Sequence, residues 1–344
     1  MSATPRSPAG AARLVDRVFK VRELAILLVF LVMIALTQVG NSAFLSEQGV
    51  KDLLLNATIL VLVATGQALV VITRNVDLSV GSTLGISAFA AGDHLQGGGG
   101  SLTAIGLAVA LGVGCGLLNG ALVSLGQVPA LVVTLGTLYV IRGIDSMWVG
   151  PRQITAADLP GGYVDFGSGG VHAVPWLALI ALAVLVTVAY YLRHFVGGRE
   201  LYALGSNPEA ARLAGIFVRG RILLAYTVCG ALAGLAGALY LARFGNVDSA
   251  TGTGYELTVV SAVVVGGVAF TGGSGSVYGA ALGALLLTSV NSVLPALGVS
   301  SVWVMAINGV LLVLAIAVDR VVALRVTEAL KKRAASNRRR GRHG

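Results

Sequence analysis

Charge is scarce in this chain. Only 11% of its 344 residues are charged, where a soluble domain carries about 25%. Cysteine occurs twice, as Cys115 and Cys229, each inside an apolar run. That excludes a disulfide framework and a cysteine-ligated metal site. His94, His172, His194 and His343 are scattered near loops, and no His-Glu-x-x-His motif or Cys/His cluster occurs. Nothing points to a metal or to an enzyme active site. There is no Gly-x-x-x-x-Gly-Lys-[Ser/Thr] stretch, so the chain carries no P-loop of its own and is expected to bind no cofactor. The apolar runs also lack the series of Asp, Glu and Lys that a proton-driven carrier would bury.

What is abundant is apolar and small. Hydrophobic residues make up 56% of the chain, and 47 glycines are spread through it. Small residues let helix backbones approach closely in lipid. The reading is an all-α integral membrane protein of about ten transmembrane helices. The candidate spans are 24–39, 57–73, 78–91, 102–125, 131–141, 174–192, 222–242, 257–270, 277–297 and 302–318. A signal peptide is the competing reading of 24–39, but the run is long for one and no Ala-x-Ala site follows. Four runs, 24–39, 78–91, 131–141 and 257–270, are short of the roughly 20 residues a full crossing needs. Short, glycine-interrupted helices commonly line a pathway. Residues 45–56 read as an interfacial turn of helix, and 145–173 as the longest irregular stretch. This divides the chain into a basic N-terminus (1–23), a permease domain (24–318) with a polar loop at 195–220, and a basic tail (319–344).

The net charge of +9 is unevenly placed. Only Lys51, Arg142, Arg152 and Arg243 fall outside the segments that share a face with the N-terminus. The positive-inside rule then puts the termini and the central loop in the cytoplasm. Clustering beside apolar spans points to lipid headgroups rather than nucleic acid as the partner of the basic tail.

The central loop reads as a short helix built for the surface. Ser206 or Asn207 can cap it, Pro208 suits its first position, and Glu209 meets the positive end of its dipole. Ala210, Ala211, Arg212 and Leu213 continue it, and Gly215 can end it. The mid-span polar groups are neutral: Gln67, Asn119, Thr134, Asn291 and Asn308. They suit a neutral polyhydroxylated solute, and they suit hydrogen bonds between helices equally well. Gly112, Gly116 and Gly120 recur every four residues, as do Gly230 and Gly234, which marks close helix contacts. A faint echo links Thr73, Gly81 and Gly85 to Thr271, Gly279 and Gly283.

Four blocks carry a family resemblance. They are Gly66-Gln67 through Thr73-Arg-Asn-Val-Asp-Leu-Ser-Val-Gly-Ser82; Val128 to Thr137 with Arg142-Gly143; Gly198 to Ile216; and Gly252-Thr-Gly-Tyr-Glu-Leu257 through Gly266-Gly267 to Gly272-Gly-Ser-Gly-Ser276. Together they resemble the permease subunits of bacterial ATP-binding-cassette importers for monosaccharides, the ribose/xylose/rhamnose/autoinducer-2 family. The resemblance implies a fold similar to the vitamin B12 importer permease. It implies that Gly205–Leu213 is a coupling helix for a separate ATPase chain, which would bind the ATP and magnesium. It further implies a periplasmic or lipid-anchored sugar-binding protein and a second permease subunit, identical or not. Asp77, Ser79, Gly81 and Glu256 match family motif positions. The Arg-Asn version of the 73–77 block is similar to the rhamnose and autoinducer-2 branch, so a rhamnose-like deoxy sugar or autoinducer-2 is the favoured solute, with ribose and xylose as the other choices. The alternative to an importer permease is an ion-coupled secondary sugar carrier.

Overall fold

The computed structural model describes residues 44–296 without a break, residues 27–39 apart from 36, and fragments between 298 and 317. The basic N-terminus 1–23, the tail 319–344 and much of the 302–318 span lie outside the described residues. The described chain is mostly helical. In order it forms α1 (Glu47–Ile72), α2 (Val80–Gln96), α3 (Ser101–Ser124), α4 (Ala130–Val149), α5 (Gly161–Ser168), α6 (Trp176–His194), α7 (Val196–Ser206), α8 (Pro208–Leu213), α9 (Val218–Phe244), α10 (Tyr255–Val265) and α11 (Val277–Ala296). A two-stranded hairpin, β1 (Gly170–Val171) and β2 (Val174–Pro175), interrupts them. Among the described residues six helices, α1, α3, α4, α6, α9 and α11, are long and apolar enough to cross a membrane.

Three sequence expectations change. Residues 45–56 are not a separate interfacial turn: Ser46 caps α1 by accepting the Gly49 N–H, and the helix then runs 26 residues without interruption. The 131–141 run is not short. Its helix continues to Val149 and carries the Arg142–Asp145 ion pair within it. The 145–173 stretch is more regular than its prolines and glycines imply, with a 3-10 turn at 156–158, α5 and the hairpin.

Two elements stay short. α2 has 17 residues and α10 has 11, which is about 25 Å and 16 Å at 1.5 Å per residue, against a hydrocarbon layer of about 30 Å. They start near one another, because a Cβ on Gly81 would overlap Glu256 Oε2 and the Gly252 carbonyl. From there they run to opposite ends of the molecule. α2 ends where Asp93 pairs with Arg152. α10 leads to Gly272 and Gly273, which lie against Arg74 and Ser206.

α9 is the central post, packed on α1, α2 and α3. Its contact with α3 is the predicted glycine seam. A Cβ on Gly112 would strike the Gly230 carbonyl, one on Gly230 the Gly112 carbonyl, and one on Gly116 the Tyr226 carbonyl. The backbones touch because no side chain holds them apart.

Candidate functional site

The chain between α1 and α2, residues 73–79, is unwound yet largely buried: Thr73 is 2% exposed, Asp77 2% and Ser79 0%. Backbone groups freed in this way inside a bundle need partners. They come from four helices. Gln67 of α1 lies across the Asp77 peptide; with its amide nitrogen turned to the carbonyl and its oxygen to the N–H it meets both at 3.2 Å. Tyr226 of α9 donates to the Val76 carbonyl at 3.1 Å. Thr134 of α4 donates to the same carbonyl at 3.3 Å. Asn119 of α3 donates to Ser79 Oγ at 2.7 Å and reaches Asp77 Oδ1 at 3.4 Å. Asp77 Oδ1 in turn accepts the N–H and hydroxyl of Ser79, at 2.9 and 2.7 Å, an Asx-type turn that starts α2.

By sequence alone Gln67, Asn119 and Thr134 are pathway or glue, and Asp77 and Ser79 are motif positions without a role. In the structure these five residues form one polar cluster around the break. Asp77 lies inside the bundle. Asn119 Oδ1 remains without a hydrogen-bond partner. Tyr226 was missed, although a tyrosine amid small aliphatic residues is a signal in itself. Asn291 and Asn308 stand apart from the cluster. Asn308 donates to Asn291 Oδ1 at 2.8 Å in a partly exposed pair.

Glu256 closes the other side of α2. Its Oε1 accepts the Gly254 N–H at 3.2 Å, while Oε2 is buried with no hydrogen bond. Arg142 pins the segment before α10 by donating to the Thr251 carbonyl, 109 residues away in sequence. That contact was not legible as a pair.

The polar loop is the second part of the site. α7 and α8 meet at Asn207, whose side chain accepts the N–H groups of Glu209 and Ala210 at 3.1 Å each. Of the two candidate caps it is Asn207, not Ser206, that acts. Pro208 takes the first position, Glu209 and Arg212 pair at 3.0 Å, and Gly215 ends the helix at φ +82°. Ala211 is buried, whereas Glu209, Ala210 and Arg212 face outward. Leu213 and Phe217 are 85% and 71% exposed, which leaves two large apolar side chains uncovered at the same turn. Gly205 fastens this loop to the break: a Cβ there would overlap the Ile72 carbonyl and Gly273 N, and Gly273 N–H already donates to that carbonyl at 2.8 Å.

Among the described residues no group of three or more His, Cys, Asp or Glu side chains could hold a metal ion.

Residues 49–316 match the family model described as "Branched-chain amino acid transport system / permease component". The chain is 38% identical over 296 residues to an autoinducer 2 import system permease protein of Enterobacter sp. (strain 638), covering 86% of this chain and 84% of the relative. It is 35% identical over 298 residues to the ribose import permease protein of Escherichia coli (strain K12), covering 85% and 92%. An autoinducer 2 permease of Salmonella paratyphi B is 37% identical over 294 residues, covering 85% and 84%. No solved structure matches. With most of its length aligned and several apolar helices of crossing length, the chain belongs to this family of multi-pass membrane permease components.

Proposed function

We propose that the chain is the membrane-spanning subunit of an ATP-driven importer and forms the path for a monosaccharide-like, polyhydroxylated solute. The observation that carries this reading is the link between the exposed helix α8 and the buried break at 73–79. Gly205 presses on Ile72 at the end of α1, so a partner that moves α8 also moves the loop that Asn119, Gln67 and Thr134 hold. Exposed Leu213 and Phe217 supply apolar contacts for such a partner. The partner is an ATPase chain, which holds ATP and magnesium; this chain binds neither. In this reading the α7–α8 loop and both termini face the cytoplasm, and the protein sits in the bacterial inner membrane. The bundle has about ten spans, arranged similarly to the vitamin B12 importer permease. A sugar-binding protein docks on the outer face, and a second permease subunit completes the path. The three relatives are named for autoinducer 2 and ribose, and none of them for rhamnose. We therefore place the solute in the ribose and autoinducer 2 class rather than with rhamnose.

Mild-detergent purification from the native host, with the accompanying chains identified by mass spectrometry, tests the reading. We expect a P-loop ATPase to co-purify and to be lost in Glu209→Arg. The secondary-carrier alternative predicts this chain alone, with uptake in liposomes that proceeds without ATP and stops with an uncoupler.

A further inference from the structure

A cavity of 380 Å³ lies where the last turns of α6 meet α7 and the start of α11. Its lining combines apolar Val186, Ala189, Leu192 and Val277 with Arg193, His194, Ser276 and the rings of Tyr190, Tyr202 and Tyr278. Tyr190 stacks on His194 with ring centroids 4.2 Å apart. Arg193 is exposed and has neither an ion pair nor a side-chain hydrogen bond among the described residues.

The charges around it are one-sided. Residues 176–194 and 277–296 contain no Asp or Glu, and Glu200, the acid in 196–206, is paired with Arg221. The cavity therefore presents an uncompensated guanidinium beside apolar lining residues on the membrane-facing side of α6, where Val186 is 47% exposed. Aromatic rings and a basic residue beside apolar side chains match a phospholipid at the level of its phosphate.

We propose that this cavity holds the headgroup phosphate of an anionic phospholipid, with Arg193 as the charge partner and the Val186–Ala189 face of α6 receiving the upper part of an acyl chain. The position gives the lipid a hold on the moving parts of the importer. Tyr202 forms one wall, and its hydroxyl donates to the Gly275 carbonyl at 3.1 Å. The same helix, α7, leads into α8. This second consequence rests on the coupling role proposed above, whereas lipid binding itself does not.

Binding is therefore tested without transport. The full-length chain, purified in mild detergent with whatever chains accompany it, is exchanged into nanodiscs of phosphatidylglycerol and phosphatidylcholine. Retained lipid is then counted by native mass spectrometry. We expect phosphatidylglycerol to be enriched over its bulk share. Arg193→Gln should lower its occupancy about fivefold, the scale of one basic residue at an anionic surface. Arg193→Lys should keep most of it, and Arg219→Gln, outside the cavity lining, all of it. Val186→Trp, which fills the cavity and keeps the charge, should also reduce retention. Equal phosphatidylglycerol retention in the wild type, Arg193→Gln and Val186→Trp overturns the site. Displacement of the lipid by excess inorganic phosphate assigns the cavity to a soluble anion and overturns the lipid reading.

Discussion

Asn119 is the side chain on which the broken segment depends most directly, because it donates to both Ser79 and Asp77 from a neighbouring helix. Replacing it with Leu removes both of these bonds, although Ser79 still donates to Asp77 Oδ1, and losing the buried bond to Ser79 costs about 1 kcal/mol. The expected result for Asn119→Leu is a clear fall in thermal midpoint in detergent, with loss of uptake. Asn291→Leu, at a partly exposed pair, should shift the midpoint far less; equal shifts would remove the distinction between the two groups. The sequence marked all five neutral polar residues as equivalent. Their separation is a tertiary fact, since residues from four helices converge on one loop and nothing in local spacing records that. The glycine seam, by contrast, was legible, because i, i+4 repetition places small residues on one face of a helix whatever its partner is. Gly112→Val should prevent α3 from reaching α9, a strain of at least about 1–3 kcal/mol. The check is the yield of monodisperse protein, with Gly114→Val as control, because open space surrounds a Cβ there.

At the scale of elements, α8 was legible because its signals are local. An Asn cap, a Pro at the first position and a Gly at the end act within a few residues. What was not legible is its attachment. The family resemblance counts Gly205 with the coupling helix, but nothing in its spacing shows that it is the point where the loop touches α1. Gly205→Val would force the loop away from Ile72 and break the Gly273 N–H bond to it. We expect this variant to retain a bound ATPase and nucleotide hydrolysis while uptake falls at least tenfold. A parallel loss of both activities would mean that the contact serves assembly rather than transmission. Asn207→Ala should act more weakly, since a lost cap costs about 1 kcal/mol, and Asn207→Asp should restore function.

For the molecule as a whole, the decisive feature is how charges sort between its two ends. One end carries Arg74, Arg199, Arg212, Arg219 and Arg221 around the α7–α8 loop, with Arg212 and Arg221 paired to Glu209 and Glu200. At the other, the arginines are neutralised: Arg243 pairs with Asp52 at 3.0 Å and Arg152 with Asp93 at 2.7 Å. Counting positive residues along the sequence already separated these groups. The 131–141 run stopped too early because it ended just before Arg142, which pairs with Asp145 within the helix. The larger share of Lys and Arg at the α7–α8 end is what retention on the cytoplasmic side requires. The orientation can be tested directly in a background with Cys115 and Cys229 replaced by Ala, since both native thiols sit within the helix bundle. Exposed single cysteines are introduced at Ala214, beside α8, and at Ser101, at the start of α3. An impermeant maleimide added to intact spheroplasts should label Ser101→Cys and leave Ala214→Cys unlabelled until the membrane is opened. The reverse pattern would place the α7–α8 loop outside, where no cytoplasmic ATPase could reach it, and the importer reading would fail with it.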